Sequence, residues 1–341
     1  MGTDRQRRSG FGPVQGRRAL LCFSAALLLT VVVVASACDG PGVSPGDGDR
    51  SQTLDLERAL RALAPSGAVA IVRTEAGVER GAIGEAESGR PADPHDRFGI
   101  ASTDKTFIAT VVLQLVGERR LSLEDTVGDL LRPANMLGDL RPGEFGEARR
   151  ITVRQLLNHT SGVSGDRVRF PPGTKFSYAG QNYGLLKKII KQVTGRKAWH
   201  EVIDRIVRPL NLDDTIWSPS HDEGPWLTVR ASPASTVDDI ATFFAALLGG
   251  KLLPPDLLSQ MTQAIEGGKG FRVGLGIFEL QLACGTAWGH GGEAGVFSTM
   301  PLAARDGSKV VVVAQNSGGW TAAKSVAEDI YCSSPEGSED G

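Results

Sequence analysis

The chain has 341 residues, 41% of them hydrophobic and 22% charged, with a formal net charge of −2. This composition is ordinary for a folded protein, ample for a large core, and excludes disorder as a reading of the whole. Residues 1–37 hold Arg5, Arg7, Arg8, Arg17 and Arg18 against Asp4 alone. Without them the charge falls from −2 to −6, and so acidic a body argues against nucleic acid as a partner.

The first predicted element is an export signal over 1–37. An arginine pair at 17–18 precedes the uncharged apolar run "ALLCFSAALLLTVVVV" and small residues before Cys38. The "ASAC" ending resembles the lipobox of bacterial lipoproteins, which makes Cys38 the candidate lipidation site; "RRALL" also resembles a twin-arginine signal. The run is long enough for an uncleaved membrane anchor as well. Each variant places the folded part at the outer face of the cytoplasmic membrane. Residues 38–53, rich in Gly, Pro, Ser and Asp, read as a flexible tether.

A helix is predicted near 54–63, then strands over "AVAIVR" (68–73) and "GVERGAIG". Helices follow near 105–118, 152–158, 182–194, 197–207, 236–249 and 254–264. Strands return at "RVGLGIFEL" (272–280), "AWGHGG" (287–292), "GVFSTMP" (295–301) and "KVVVVAQN" (309–316), before a last helix at 320–331 and a polar tail at 332–341. Strands at both ends around a helical block imply an α+β fold, one sheet built from both ends of a domain at 54–331 with a helical subdomain inserted. Once Cys22 in the export signal and Cys38 as the candidate lipid site are set aside, Cys284 and Cys332 remain. Outside the cell they form either a disulfide or two unrelated thiols, and neither has zinc-site spacing, so no metal is expected.

The candidate chemistry lies at the start of the most hydrophobic helix, in "FGIASTDKTFIATVVLQLV" (98–116). Stepping back along its apolar stripe by threes and fours reaches Val116, Val112, Ala109, Lys105 and Ser102. A serine and a lysine about 60° apart around one turn therefore face the core. A serine hydroxyl needs a base to become a nucleophile, and a lysine whose charged form is disfavoured by burial can be one. The positive end of the helix favours negative charge at Ser102. Taken alone, the pair also reads as an N-cap and a lysine reaching solvent.

The same run, followed by "GERRLSLEDTVGDLL", resembles the first motif region of the serine beta-lactamase and DD-peptidase superfamily, in its class C beta-lactamase-like branch. In family order come "ITVRQLLNHTSGV", "FPPGTKFSYAGQNYGLLKKIIKQVTG", "SPASTVDDIATFFAALLGG" and "WGHGGEAGVFS". The resemblance covers 53–331 and implies a beta-lactamase/transpeptidase-like fold. It implies that Ser102 forms an acyl-enzyme, with Lys105 and Tyr178 as the two candidates for its proton. It also implies that His290, Gly291 and Gly292 form a strand bordering the substrate, and that the NH groups of Ser102 and Glu293 hold the oxyanion. His290, with an ordinary pKa near 6.5, is expected to hold a substrate carboxylate when protonated. His159 is expected to be structural. Gly180 departs from the family, which has an asparagine there to hold the substrate carbonyl; Asn182 is expected to project elsewhere. The expected protein is a serine hydrolase without cofactor, acting as a monomer on D-alanyl peptides of the peptidoglycan type, beta-lactams or small esters and amides. The alternative is a cell-wall ligand or penicillin sensor that is acylated without efficient turnover.

Overall fold

The computed structural model describes residues 55–64, 66–87, 89–131, 145–217, 233–294, 297–317 and 319–334. The export signal, the tether, Cys38 and the end of the polar tail lie outside the described residues. Helix α1 (Leu56–Leu60) opens on Asp55, whose side chain accepts from the Arg58 N–H. The hairpin β1 (Ala68–Thr74) and β2 (Gly77–Ile83) follows, then β3 (Glu85–Glu87), β4 (Arg90–Pro91) and β5 (Phe98–Gly99). A 3-10 turn at Ala101–Thr103 leads into α2 (Asp104–Gly117). The helical block continues with α3 (Val127–Leu130), α4 (Phe145–Ala148) and α5 (Val153–Leu157). Thr126 with Asp129, and Thr152 with Gln155, form the capping boxes that start α3 and α5. The short pair β6 (Val163–Ser164) and β7 (Arg167–Val168) precedes α6 (Gly180–Thr194), α7 (Ala198–Val202) and a π turn at Ile203–Val207. Then come β8 (Ala234–Ser235), α8 (Val237–Leu248) and α9 (Pro255–Met261).

The remaining strands are β9 (Ile265–Gly268), β10 (Phe271–Val273), β11 (Phe278–Leu282), β12 (Gly285–Gly289), β13 (Gly292–Ala294), β14 (Phe297–Ala303) and β15 (Val310–Gln315), closed by α10 (Trp320–Ser333). They join the N-terminal hairpin in a nine-stranded antiparallel sheet of order β2-β1-β15-β14-β12-β11-β10-β9, with β13 paired to β14. Both faces of its centre are covered. Val69 and Ile71 of β1 and Val310, Val312 and Ala314 of β15 pack with α2 and α8, while Ala70, Val72, Val311 and Val313 pack with α1 and α10. That is why "KVVVVAQN" reads as an unbroken apolar run rather than an alternating one. Cys284, at the turn between β11 and β12, is joined by a disulfide to Cys332 of α10.

Four expectations change. The segment 272–280 is not one strand but two, because residues 274–277 form a turn. Gly276 there has φ +78°, and a Cβ on it would lie 2.3 Å from Ala109 Cβ of α2. The segment 287–292 is also interrupted: β12 ends at Gly289, and His290 and Gly291 leave the ladder before β13 begins. Helix α6 starts at Gly180, two residues earlier than expected, and α10 runs on to Ser333.

Candidate active site

Ser102 sits in the 3-10 turn just before α2, after Ala101, which holds a left-handed φ of +45°. A non-glycine residue in that region is strained, and such strain is found where a neighbouring side chain must be aimed. Two contacts over-determine the turn. The Thr103 hydroxyl donates to the His290 carbonyl at 2.9 Å, and Gly292 packs so close to Ile100 that a Cβ would lie 2.2 Å from the Ile100 oxygen.

Lys105 is 8% exposed, the second residue of α2, and its Nζ donates to Ser102 Oγ at 2.8 Å. Tyr178 precedes α6, and its hydroxyl donates to the same Oγ at 2.9 Å. Both lone pairs of the serine oxygen are thereby engaged, and both candidate bases stand at proton-transfer distance. Lys105 Nζ also lies over two ring faces, 5.4 Å from the centroid of Tyr178 and 5.7 Å from that of Tyr183.

His159, with a left-handed φ of +56°, is buried behind Tyr178, ring centroids 4.4 Å apart. Its Nδ1 accepts from the Ala179 N–H at 3.2 Å and meets the Asn182 amide nitrogen at 3.0 Å. Burial first, then repulsion of its protonated form by a protonated His290 and by Lys105, push its pKa down to about 3, so the ring is neutral and props the tyrosine. Asn182 projects into this network, its oxygen accepting from Ser161 Oγ at 2.6 Å, and away from Ser102.

His290 requires a correction. It is 2% exposed and stacked on Phe278 with centroids 4.5 Å apart. Burial, helped by the Lys105 charge, pushes its pKa down to about 3. Its Nδ1–H donates to the Gly291 carbonyl at 2.9 Å, which leaves Nε2 as a lone pair with no partner among the described residues. A neutral imidazole cannot hold a carboxylate by charge at neutral pH. The glycines beside it are also required by the protein's own packing: a Cβ on Gly291 would lie 2.2 Å from Trp320 Nε1.

These residues border a cleft of about 650 Å³. Its walls are apolar, with Phe176, Phe271, Phe278, Leu280, Met300 and Trp320; Lys269, Gln281, Glu293 and Lys324 supply polar groups. Glu293 is exposed in β13, beside the serine turn. Gly180 does not line the cleft, and a Cβ on it would meet nothing within 4 Å. Sequence reasoning missed the aromatic wall, since its phenylalanines come from separate elements with no shared motif. It also missed Lys187 of α6, which donates to Asp104 at 2.7 Å beside the lysine.

A large antiparallel sheet flanked by helices, with Ser102, Lys105 and Tyr178 joined by hydrogen bonds at its edge, is the architecture of the beta-lactamase fold. The chain belongs to the family described as Beta-lactamase, whose model matches residues 55–330. It is similar to penicillin-binding protein 4 of Amycolatopsis lactamdurans, 32% identical over 145 residues, which are 36% of each chain. The protein thus spans about a third of the length of the curated relatives it matches. Among solved structures it resembles a D-stereospecific amidohydrolase from a Streptomyces species, 29% identical with TM-score 0.66, covering 81% of this chain and 97% of that one. A penicillin-binding protein from Bacillus halodurans shares the fold at TM-score 0.70 and 19% identity, covering 82% of this chain and all of the other.

Proposed function

We propose that the protein is an exported serine hydrolase acting by acyl transfer on small esters and amides, D-configured aminoacyl amides and D-alanyl peptides among them, with beta-lactams as slow substrates. The observation that carries this is Ser102 Oγ held by both Lys105 Nζ and Tyr178 OH at the cleft. Ser102 Oγ attacks the carbonyl carbon as its proton passes to Lys105 or Tyr178. The NH groups of Ser102 and Glu293 receive the oxyanion, and the transferred proton leaves on the departing amine or alcohol. Water, deprotonated by the same group, then releases the acid and restores the serine.

Three features support the substrate class. The aromatic walls suit an apolar acyl group, and the neutral His290 withdraws one charge that an anionic substrate would use. The amidohydrolase of similar sequence, matched over nearly its whole length, is D-stereospecific by name. Export is supported by the arginine pair and apolar run before Cys38 and by the Cys284–Cys332 disulfide, a bond that persists in oxidising compartments. A second reading, a sensor that is acylated by a cell-wall ligand or penicillin and not released, is favoured by Gly180, where no amide is available to hold a carbonyl.

Intact-mass measurement during incubation with a chromogenic ester, a D-aminoacyl amide and a fluorescent penicillin tests both. Rapid release of the ester and amide products supports the hydrolase. A stable adduct with every substrate supports the sensor, and the absence of both product release and an adduct on Ser102, with every substrate, refutes both readings.

A further inference from the structure

The first turn of α2, beside the nucleophile, holds a charge that the proposed acyl transfer does not use. Asp104, only 7% exposed, stands between two lysines. Its Oδ1 lies 3.9 Å from Lys105 Nζ, and its Oδ2 accepts from Lys187 Nζ at 2.7 Å. Lys187 belongs to α6, the helix that follows Tyr178 in the chain, and its side chain is 43% exposed.

A carboxylate at that distance from an amine, in a partly desolvated site, stabilises the ammonium form and offers its nitrogen a partner other than the serine. Both effects oppose the use of Lys105 as a proton acceptor. Lys187 counters them by supplying the opposite charge at closer range. We propose that Lys187 and Asp104 are a positioning pair that sets the charge state of Lys105 and keeps its Nζ on Ser102. The inference rests on the reading of Ser102 as the acylated nucleophile.

The other groups facing Lys105 leave this pair in control. From α6 and the loop before it come the rings of Tyr183 and Tyr178. From the segment after α5 comes His159, and from the strand side His290, both pushed down to about 3 and neutral across the working range. The charges that remain beside Lys105 from these elements are Asp104 and, behind it, Lys187.

The test is the pH dependence of Ser102 acylation, followed with a chromogenic phenyl ester and by intact mass, in the wild type and in Lys187→Gln, Lys187→Arg and Asp104→Asn. With Lys187→Gln, the limb of the profile governed by Lys105 should move up by on the order of one pH unit, since the carboxylate then acts on Lys105 uncountered. Movement of the acid limb identifies neutral Lys105 as the proton acceptor; movement of the alkaline limb identifies ammonium Lys105 supporting Tyr178. Lys187→Arg should keep the wild-type profile, and Asp104→Asn should move the same limb down. Should Lys187→Gln not fold, Asp104→Asn carries the test, because it keeps the shape of the side chain and removes only its charge. Profiles that change in height but not in position would overturn the proposal, as would Lys187→Arg behaving like a charge-free variant. Wild-type protein that is never acylated overturns this proposal and the reading beneath it. Acylation without release of the acyl group overturns hydrolysis alone and leaves the pH comparison valid.

Discussion

The two walls that meet at Ser102 treat their polar groups in opposite ways. On the α2 wall each polar side chain from Ser102 to Thr106 has a partner: Ser102, Thr103, Asp104 and Lys105 as described, and Thr106 on the Gly276 carbonyl at 2.8 Å. Across the cleft, His290 Nε2 and Thr299 Oγ1 are buried with no partner among the described residues. A fully satisfied polar network is rigid, and rigidity is what a proton-transfer group needs. The strand wall is held by glycine packing and its histidine is neutral, so His290 contributes shape more than charge. The first wall is built for chemistry and the second for fit, and substitutions on each should differ accordingly.

The largest effect belongs to the α2 wall. Ser102→Ala should abolish covalent labelling, and Lys105→Ala should slow acylation by about 10²–10⁴-fold. Both proteins should remain folded, as circular dichroism and urea melts would show. Persistent labelling of Ser102→Ala would break the comparison at its root.

Next comes the bond that ties the back of the strand wall to α10, the helix that contributes Trp320 and Lys324 to the cleft. Cross-linking residues 48 apart stabilises a fold by about 4 kcal/mol in the chain-entropy model, and measured values run lower. Replacing Cys284 and Cys332 together by alanine should therefore cost about 2–4 kcal/mol in urea melts. The Michaelis constant for bulky acyl esters should rise more than the acylation rate falls. Equal losses in both would mean that the two walls are not independent.

The buried histidines set the acid limit of stability. Each is pushed down to about 3 in the fold from an ordinary 6.5, so the unfolded chain binds more protons between those values, and stability falls as pH drops below about 6.5. At pH 5 each accounts for a loss of about 2 kcal/mol relative to neutral pH. Asp239, pushed up to about 6 by burial, acts in the opposite sense. The cleanest measurement is the difference between wild type and His159→Gln in urea melts at pH 7 and pH 5, where the variant should lose less on acidification. For the same reason, esters with and without a carboxylate should show parallel pH profiles above pH 5, since His290 is already neutral there. Profiles that diverge near pH 6 would restore a charged role to His290.

These outcomes also show what can be read from a sequence. The stripe that led from Val116 back to Lys105 and Ser102 is local periodicity, and periodicity survives folding because neighbours on a helix stay neighbours. The runs at β1 and β15 were legible as unbroken apolar stretches, which a strand covered on both faces requires. The break between β10 and β11 was not, because the glycine in "VGLGI" is compatible with a strand until Ala109 of another element occupies the space a Cβ would need. The charge of His290 was hidden too, since the shift comes from burial against Phe278 and from a lysine nearly two hundred positions away. Lys187 and Asp104 are 83 residues apart and share no motif, so only the fold pairs them.

The smallest effect tests the position where the chain departs from its family. Gly180 is the first residue of α6, two positions after Tyr178, and a side chain added there would meet nothing within 4 Å. Asparagine can therefore be introduced without a clash, and at the helix start it carries little conformational cost. If the missing amide limits the handling of rigid beta-lactams, Gly180→Asn should raise their acylation rate by about tenfold or less, the scale of one added hydrogen bond. Small activated esters need less positioning and should change by less. Stopped-flow acylation with a chromogenic cephalosporin and a nitrophenyl ester compares the two in one preparation. An equal gain on both would point to a helix-start effect on Tyr178 rather than to substrate binding. No gain on either would mean that the aromatic wall, through Phe176 and Phe278, already fixes the substrate and that the glycine costs the protein nothing.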